Sequence, residues 1–201
     1  MKGQSDIVSL VLIVVISIGL LGAAYTWSLP LIQKRQDTTK FERIYSFFDP
    51  ANPNSLERKI IYTARTGSDS IFSSDFEGIW IIDKEENSIT FTFFSKVTGF
   101  KPTNEWISLI PKSSCPSTTG YLGSDEPFSV CGKAKPAHDG FEVTFKVWFI
   151  NLTDIDTGEN YLIKLNVGGL ESATGKSLKI EYDSVEKTQK MVKTNVDVIL
   201  L

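Results

Sequence analysis

The chain has 201 residues, enough for one sizeable domain and an appended element but too few for two ordinary domains. Its formal net charge is -3, which argues against a nucleic-acid-binding protein, because such proteins carry a basic stripe. It has one His and two Cys, too few for a common zinc site built from protein ligands without recruiting carboxylates. We therefore expect no metal, no other cofactor and no nucleic-acid partner.

A long apolar segment begins close to the N-terminus. Residues 7–29 include no charged side chain and are long enough, as a helix, to cross a bilayer, which requires roughly 20 residues. The segment exceeds the apolar region of an ordinary secretory signal peptide, and no Ala-x-Ala-like cleavage site lies between it and the polar chain after Pro30. We therefore expect any cleavage to occur before this helix, which the mature protein would keep.

The residues before the helix resemble a known processing signal. The stretch Lys2-Gly3-Gln4-Ser5, directly before an apolar helix, is similar to the class III (prepilin-type) signal peptide of archaeal type IV pilins and archaellins. The resemblance covers only this leader and the apolar helix. It implies that a prepilin-type peptidase recognises Lys2, Gly3 and Gln4 and cleaves after Gly3, so that residues 1–3 are the leader. The alternative is an uncleaved membrane anchor.

The same resemblance implies residues for assembly. In this family an acidic side chain, often a Glu slightly farther from the cut than Asp6 is here, is thought to pair with the free N-terminus of a neighbouring subunit. The alternative for Asp6 is an interfacial carboxylate favoured by the dipole of the helix N-terminus. Gly19 and Gly22 are further assembly candidates because small residues let helices pack closely, although glycine is common in membrane helices of any kind.

The predicted helix extends well beyond the apolar segment. We predict a helix from about Ser5 to about Phe48 and assign residues 4–48 to the hydrophobic N-terminal helix. Pro30 removes a backbone donor, so the helix should bend or weaken there and near Asp37-Thr38-Thr39. The following turn-forming residues end it, and residues 49–56 form the predicted linker.

From residue 57 to residue 201 the apolar residues recur mainly at every second position, which predicts strands with one buried and one solvated face. The alternating runs lie at 60–64, 89–93, 141–149, 161–167, 178–182 and 192–200, with turn-forming residues between them. The uninterrupted apolar run 79–82 predicts a short buried strand. They predict an antiparallel, immunoglobulin-like β-sandwich of about seven to nine short strands. The expected fold class is therefore mainly β with one long N-terminal α-helix.

The two cysteines point to a covalent link. Cys115 and Cys131 flank a segment rich in Ser, Thr, Gly and Pro, which has little apolar surface to hold it in place. We predict a disulfide, which would contribute about 3 kcal/mol in the chain-entropy model. Disulfides persist in oxidising compartments, which fits an extracellular domain. Two unpaired thiols are the alternative.

Two further residues are candidates for surface roles. Asn151-Leu152-Thr153 is an N-x-[ST] sequon at the end of a predicted strand, so Asn151 is a candidate for glycosylation if the domain is exported, with an unmodified chance sequon as the alternative. Trp148 alternates onto the face opposite Val147, so it is the candidate for an exposed adhesion surface, with core packing as the alternative.

Two groups of polar residues suggest chemistry but have plainer explanations. Asp154, Asp156 and Glu159 lack the spacing and the flanking helices of an EF-hand, so we expect a hairpin turn there rather than a calcium site. His138 beside Asp139 has no nucleophile motif near it, so we expect a loop residue, no catalytic residues and no enzyme activity.

The side of the membrane is predicted from conflicting signals. The positive-inside rule would keep the C-terminal domain in the cytoplasm, since basic residues follow the apolar segment at Lys34, Arg35, Lys40 and Arg43. The prepilin-like signal, the cysteine pair and the sequon favour the outside. We adopt the outside and expect a protein of the cell surface or of an extracellular filament.

These features predict a structural subunit of an archaeal type IV pilus-like surface filament that serves adhesion, surface display or motility. The resemblance implies these partners: the membrane before assembly, the peptidase, an assembly ATPase with its platform, and other copies or pilin-like subunits. The alternative is a membrane-anchored extracellular binding module, such as the archaellum stator proteins, that holds a surface-layer protein.

Overall fold

A computed structural model describes the backbone of residues 2–111 and 114–201 and the side chains of 9–74, 76–111 and 114–201. The chain divides into two compact units, Met1–Thr39 and Lys40–Leu201. The described part of the first unit is entirely helical. The second unit, Lys40–Leu201, contains the end of that helix and the remaining elements, and we call it the head domain.

The described residues form two α-helices and ten β-strands. The helices are α1 (Lys2–Phe47) and α2 (Leu56–Thr66). The strands are β1 (Ser70–Asp83), β2 (Ser88–Ser95), β3 (Thr103–Ser108), β4 (Thr119–Tyr121), β5 (Phe128–Ala137), β6 (Gly140–Phe149), β7 (Asn151–Thr153), β8 (Asn160–Val167), β9 (Ser172–Lys187) and β10 (Met191–Leu200). The predicted fold class, mainly β with one long N-terminal helix, is confirmed.

Helix α1 is more regular than the sequence predicts. It is helical at every residue through Pro30 and through the stretch Asp37-Thr38-Thr39. The Thr38 hydroxyl donates to the Lys34 carbonyl at 2.9 Å, so this polar side chain finds its partner within the helix and does not disrupt the backbone hydrogen bonds. At Pro30 the helix lacks one backbone donor, and the intact turns on both sides tolerate that loss.

The segment 60–64, predicted as the first strand of the head, is instead part of helix α2. Leu56, Ile60 and Thr63 are buried at helical spacing, whereas Tyr62 is 57% exposed. The helix ends at Gly67, which has φ 68° and whose N–H donates to the Thr63 carbonyl at 2.9 Å. A second helix that packs on the core, rather than a strand, thus precedes β1.

The ten strands belong to one hydrogen-bonded sheet in the order β3-β5-β6-β2-β1-β9-β10-β8-β7-β4. Among the described strands, the pairs β8–β10 and β4–β7 are parallel and the other neighbours are antiparallel, whereas the sequence predicts an antiparallel sandwich. Ile150 alone joins β6 to β7, although these strands stand far apart in the order. The sheet must therefore curve back on itself, so that its two halves share one core.

The core joins the concave face of this sheet to the last turns of α1. Phe41 and Ile44 of α1 and Phe48 directly after it, which the sequence places at helical spacing, are all buried. The Phe48 ring stacks on Phe145 of β6, with centroids 4.8 Å apart and planes 2° from parallel. Each such buried apolar side chain contributes roughly 1.5–3 kcal/mol, so these turns of α1 are an integral part of the head domain.

Asn87, in the turn between β1 and β2, holds the curved sheet closed. Its side-chain amide donates to the Phe149 carbonyl of β6 (3.0 Å) and to the Ile163 carbonyl of β8 (2.8 Å), and it accepts from the Leu165 N–H (2.8 Å). The residue is 7% exposed and has φ 53°, a left-handed conformation that Asn tolerates better than most residues. The Asn87 side chain thus makes hydrogen bonds to β6 and β8 that a strand between them would otherwise make.

Replacing Asn87 by Asp should destabilise the protein by about 3 kcal/mol or more at neutral pH. The carboxylate keeps the shape of the amide but cannot donate, so two buried carbonyls lose their partner and face a negative charge. Urea unfolding of the full chain in detergent measures the effect. Asn104→Asp, at an exposed position of β3, is the control, and an equally small effect at both positions would contradict the role of Asn87.

Glu57 is a buried carboxyl group in the first turn of α2. It is 0% exposed, and neither carboxyl oxygen hydrogen-bonds to a described residue. Burial raises the pKa of Glu57 to about 7, and Asp49 acts in the same direction; the Glu57 N–H, the Ser55 hydroxyl and the Arg58 guanidinium oppose the rise without cancelling it. The folded protein therefore keeps a proton on Glu57 that the unfolded chain releases at lower pH.

Glu57→Gln should remove a pH dependence of stability. Between about pH 4.5 and pH 7 the unfolded chain ionises while folded Glu57 stays protonated, so the wild type loses on the order of 3 kcal/mol as pH rises. The Glu57→Gln variant should match the wild type near pH 4 and be more stable near pH 8, as measured by urea unfolding. Glu85→Gln, an exposed control in the β1–β2 turn, should change neither value. A stability difference between the wild type and Glu57→Gln that is independent of pH would refute the assignment.

Candidate functional site

The apolar part of α1 is the feature most directly linked to a function. Every side chain from residue 9 to residue 36 is exposed, including large ones such as Leu10 (66%), Leu21 (71%) and Trp27 (82%). The span Ser9–Phe47 contains a stretch of mean hydropathy 2.2 and is, by length and composition, the one helix among the described residues that could cross a membrane. A surface this apolar far exceeds the patches that monomeric soluble proteins expose, so it requires lipid or other protein around it.

The polar groups of this segment are compatible with an apolar environment. The Thr26 hydroxyl donates to the Ala23 carbonyl (2.9 Å) and the Ser28 hydroxyl to the Tyr25 carbonyl (3.3 Å). Groups that are satisfied inside the helix need no water, which is the condition for lying in hydrocarbon. No atom lies within 4 Å of the position that a Cβ would take at Gly19 or Gly22, so both glycines leave open surface where another helix can approach.

The predicted processing residues lie at the start of α1. The backbone of Lys2, Gly3, Gln4 and Asp6 is helical, and their side chains lie outside the described residues. Peptidase recognition at Lys2, Gly3 and Gln4 and the assembly role of Asp6 therefore stay predictions.

The predicted disulfide between Cys115 and Cys131 is present, with Cα atoms 6.1 Å apart. Cys131 lies on β5 and is fully buried. Nearby, the Ser129 hydroxyl donates to the Ser114 carbonyl at 3.5 Å. The disulfide thus fixes the long connection between β3 and β4 onto the outer face of β5, where the connection's own polar composition could not hold it.

The sequon asparagine lies in a strand rather than in a free loop. Asn151 is the first residue of β7, and its side-chain nitrogen donates to the Asn160 side-chain oxygen at 3.1 Å. Its side-chain oxygen is buried without a described partner. The nitrogen that would carry a glycan is thus engaged in the folded domain, and glycosylation of Asn151 stays a prediction that requires modification before this strand pairs.

Trp148 does not form the exposed adhesion surface considered from the sequence. It is only 9% exposed, because the Trp106 ring packs edge-on against it at 5.4 Å and the Lys146 amine lies 4.7 Å from its centroid. Lys146 also forms an ion pair with Glu86. The Trp148 indole is thus part of a packed cluster on the outer face of the sheet.

The outer face instead exposes apolar residues that sequence reasoning missed. The run 79–82 is predicted to be buried, yet Ile79 and Ile81 are 47% and 42% exposed while Trp80 and Ile82 are buried. Phe94 on the neighbouring strand β2 is 49% exposed. The sequence signal was the uninterrupted apolar run itself, which is typical of a strand covered on both faces.

The acidic segment after β7 forms the predicted hairpin turn. The Asp154 carboxylate accepts from the Asp156 N–H at 2.9 Å, and the Gly158 N–H donates to the Asp154 carbonyl at 2.8 Å. Backbone hydrogen bonding lowers the pKa of Asp154. His138 lies exposed in the turn between β5 and β6. Among the described side chains, no group of three His, Cys, Asp or Glu residues could hold a metal ion.

Comparison with known proteins does not assign the chain to a family. No family model matches it, no curated protein matches it, and no solved structure matches it. The exposed apolar helix and the surfaces of the head domain are therefore the features that bear on function.

Removing the disulfide should lower the free energy of unfolding by about 3 kcal/mol. The double variant Cys115→Ser/Cys131→Ser lacks the constraint that the disulfide places on the unfolded chain. Urea unfolding compares this variant with the oxidised wild type. Reduced wild type is the matched control and should behave like the double variant. Alkylation followed by mass spectrometry should find no reactive thiol in the native protein, and two alkylated cysteines would contradict the pairing.

Proposed function

We propose that this protein is a structural subunit of an archaeal type IV pilus-like surface filament. The single observation that carries the proposal is the completely exposed apolar stretch of α1, which continues as one helix into turns that help to form the core of the head domain. The Lys2-Gly3-Gln4 leader before this helix adds a processing signal of the matching kind.

Helix α1 has the physical properties that such a subunit requires. Before assembly the apolar stretch lies in the bilayer, where a helix satisfies its own backbone. After removal of residues 1–3 and extraction by the assembly ATPase and platform, the same stretch packs against its counterparts in other copies. Gly19 and Gly22 then allow close contact between helices, and Asp6 meets the new N-terminus of a neighbour.

The role is mechanical and involves no reaction. The head domain stands outside the cell, where its disulfide persists in an oxidising environment. Copies joined through α1 would display head domains along a filament, for adhesion, surface display or motility.

A membrane-anchored binding module is the second candidate. The exposed Ile79, Ile81 and Phe94 on the outer sheet face favour it, because a module of the archaellum-stator kind needs a surface that holds another envelope protein such as a surface-layer protein. In that case α1 would remain uncleaved in the bilayer and would not pack against other copies.

The N-terminal sequence and the assembly state of native protein sheared from cells test the proposal. A filament subunit should begin at Gln4 and sediment as a polymer. A bulky substitution, Gly3→Val, should block cleavage and keep the full chain in the membrane fraction, whereas the control Gly19→Val should leave cleavage unchanged. A wild-type chain that begins at Met1 and stays with the membrane would refute the filament and favour the anchored module.

A further inference from the structure

The exposed outer face of β1 and β2 includes a shallow notch. The register of β1 against β9 shifts between Ser73 and Gly78. Beside this irregularity lies a depression of about 290 Å³ that has Ile79 and Phe94 among its lining residues. Two acidic residues, Glu77 and Glu142, also line it. The notch is thus apolar inside and negatively charged at its rim.

The apolar character of this face is unusual for a solvated sheet. In a strand with one face in water, polar residues should occupy the outer positions. Here Ile79 and Ile81 take those positions on β1 and Phe94 takes one on β2, and each is more than 40% exposed. Such a face is expected to be covered in the functional state of the protein.

The same chain carries an exposed aromatic residue flanked by basic residues on α2. Tyr62 projects from α2 and is 57% exposed. Lys59 and Arg65 lie one turn before and after it on the same side of the helix. The Lys59 amine donates to the Ile71 carbonyl at 2.7 Å, whereas the exposed Arg65 guanidinium makes no hydrogen bond or ion pair with a described residue. An aromatic ring flanked by positive charge is thus presented to solvent.

We propose that Tyr62 of one copy inserts into the notch of the next copy, with Arg65 and Lys59 facing Glu77 and Glu142. The inference rests on the proposed filament function and deepens it by naming a contact between head domains. At the notch, Glu77 has only a weak internal pair, since Lys176 lies 4.0 Å from it and both side chains are more than half exposed. An aromatic ring and an apolar notch gain from mutual burial, and the charged rims set the orientation.

The contact is heterologous, because knob and notch are different surfaces of the same chain. Each copy therefore offers a free notch at one side and a free knob at the other, which generates open polymers rather than closed dimers. One side chain and its rim cover far less than the roughly 1,200 Å² of a stable isolated complex. The contact suits copies that α1 already holds close together, where the effective concentration is high.

Disulfide trapping tests the contact in the full-length chain. Both native cysteines are paired, so introduced thiols are the reactive ones. Cells that produce the double variant Tyr62→Cys/Phe94→Cys, treated with a mild oxidant, should give a ladder of dimers, trimers and larger species in the surface fraction. The matched control, Tyr62→Cys/Ile155→Cys, uses an exposed residue (71%) in the β7–β8 turn and should give at least about tenfold less cross-linked product.

The possible results separate the contact from the filament itself. Absence of a ladder, or an equal ladder from the control, overturns the contact; so do dimers from Phe94→Cys alone, which would mean that two outer faces meet. Sedimentation and N-terminal sequencing of the same sample show whether filaments formed. Filaments without the specific ladder would leave the proposed function standing and remove this contact, whereas membrane-bound chains without either would remove both.

Charge reversal gives a second readout. Arg65→Glu, added to the cysteine pair, should lower the cross-linked fraction several-fold by placing like charges at the rim. Combining it with Glu77→Lys and Glu142→Lys should restore the fraction. A cross-linked fraction that ignores all three substitutions would overturn the charge pairing.

Discussion

The head domain depends on the closure of one curved sheet, and the Asn87 side chain makes that closure. A sheet that bends back on itself brings the end of β6 to the middle of β8, where no further strand fits between them. Backbone groups left unpaired in such a buried gap are costly. One amide, which both donates and accepts, satisfies three of them, and its left-handed backbone turns β1 into β2 at the same point.

Closure of the sheet creates a concave face, and α1 and α2 fill it. The stacked rings of Phe48 and Phe145 join the first long element of the chain to a strand near its centre. Glu57 is the exception in this packing, because a carboxyl group lies where an apolar residue would be stable at any pH. The outer face has the opposite anomaly, since Ile79 and Phe94 expose apolar surface where polar groups would suffice.

The alternating runs were sufficient to predict β2, β6, β8, β9 and β10, because each has one face in the core. The segment containing Ile60 and Ala64 has too few apolar residues to distinguish the two-residue period of a strand from the 3.6-residue period of a helix, and the sequence predicts a strand there. The residue that indicates a helix is Gly67, which ends it. The short strands β4 and β7 and the parallel pairings depend on contacts between distant segments, which local patterns do not encode. The disulfide was predictable because a polar, apolar-poor segment needs a covalent tie.

The role of Asn87 and the notch could not be predicted from local sequence patterns either, because both depend on contacts between distant segments. Asn87 acts through β6 and β8, which lie more than 60 residues away in the chain. The notch is lined by residues from strands that are distant in the chain, such as Ile79, Phe94 and Glu142. By contrast, the existence of the long apolar helix could be predicted from its composition alone, although its continuity through Pro30 could not.

The integration of the last turns of α1 into the core affects how the protein carries load. Within the unit Lys40–Leu201, force on the chain at its N-terminal end would act first on Phe41, Ile44 and Phe48, which are buried in the core. Withdrawing these residues would expose their apolar side chains and break the stacking of Phe48 on Phe145. This part of the chain therefore cannot leave the sheet without disrupting the core.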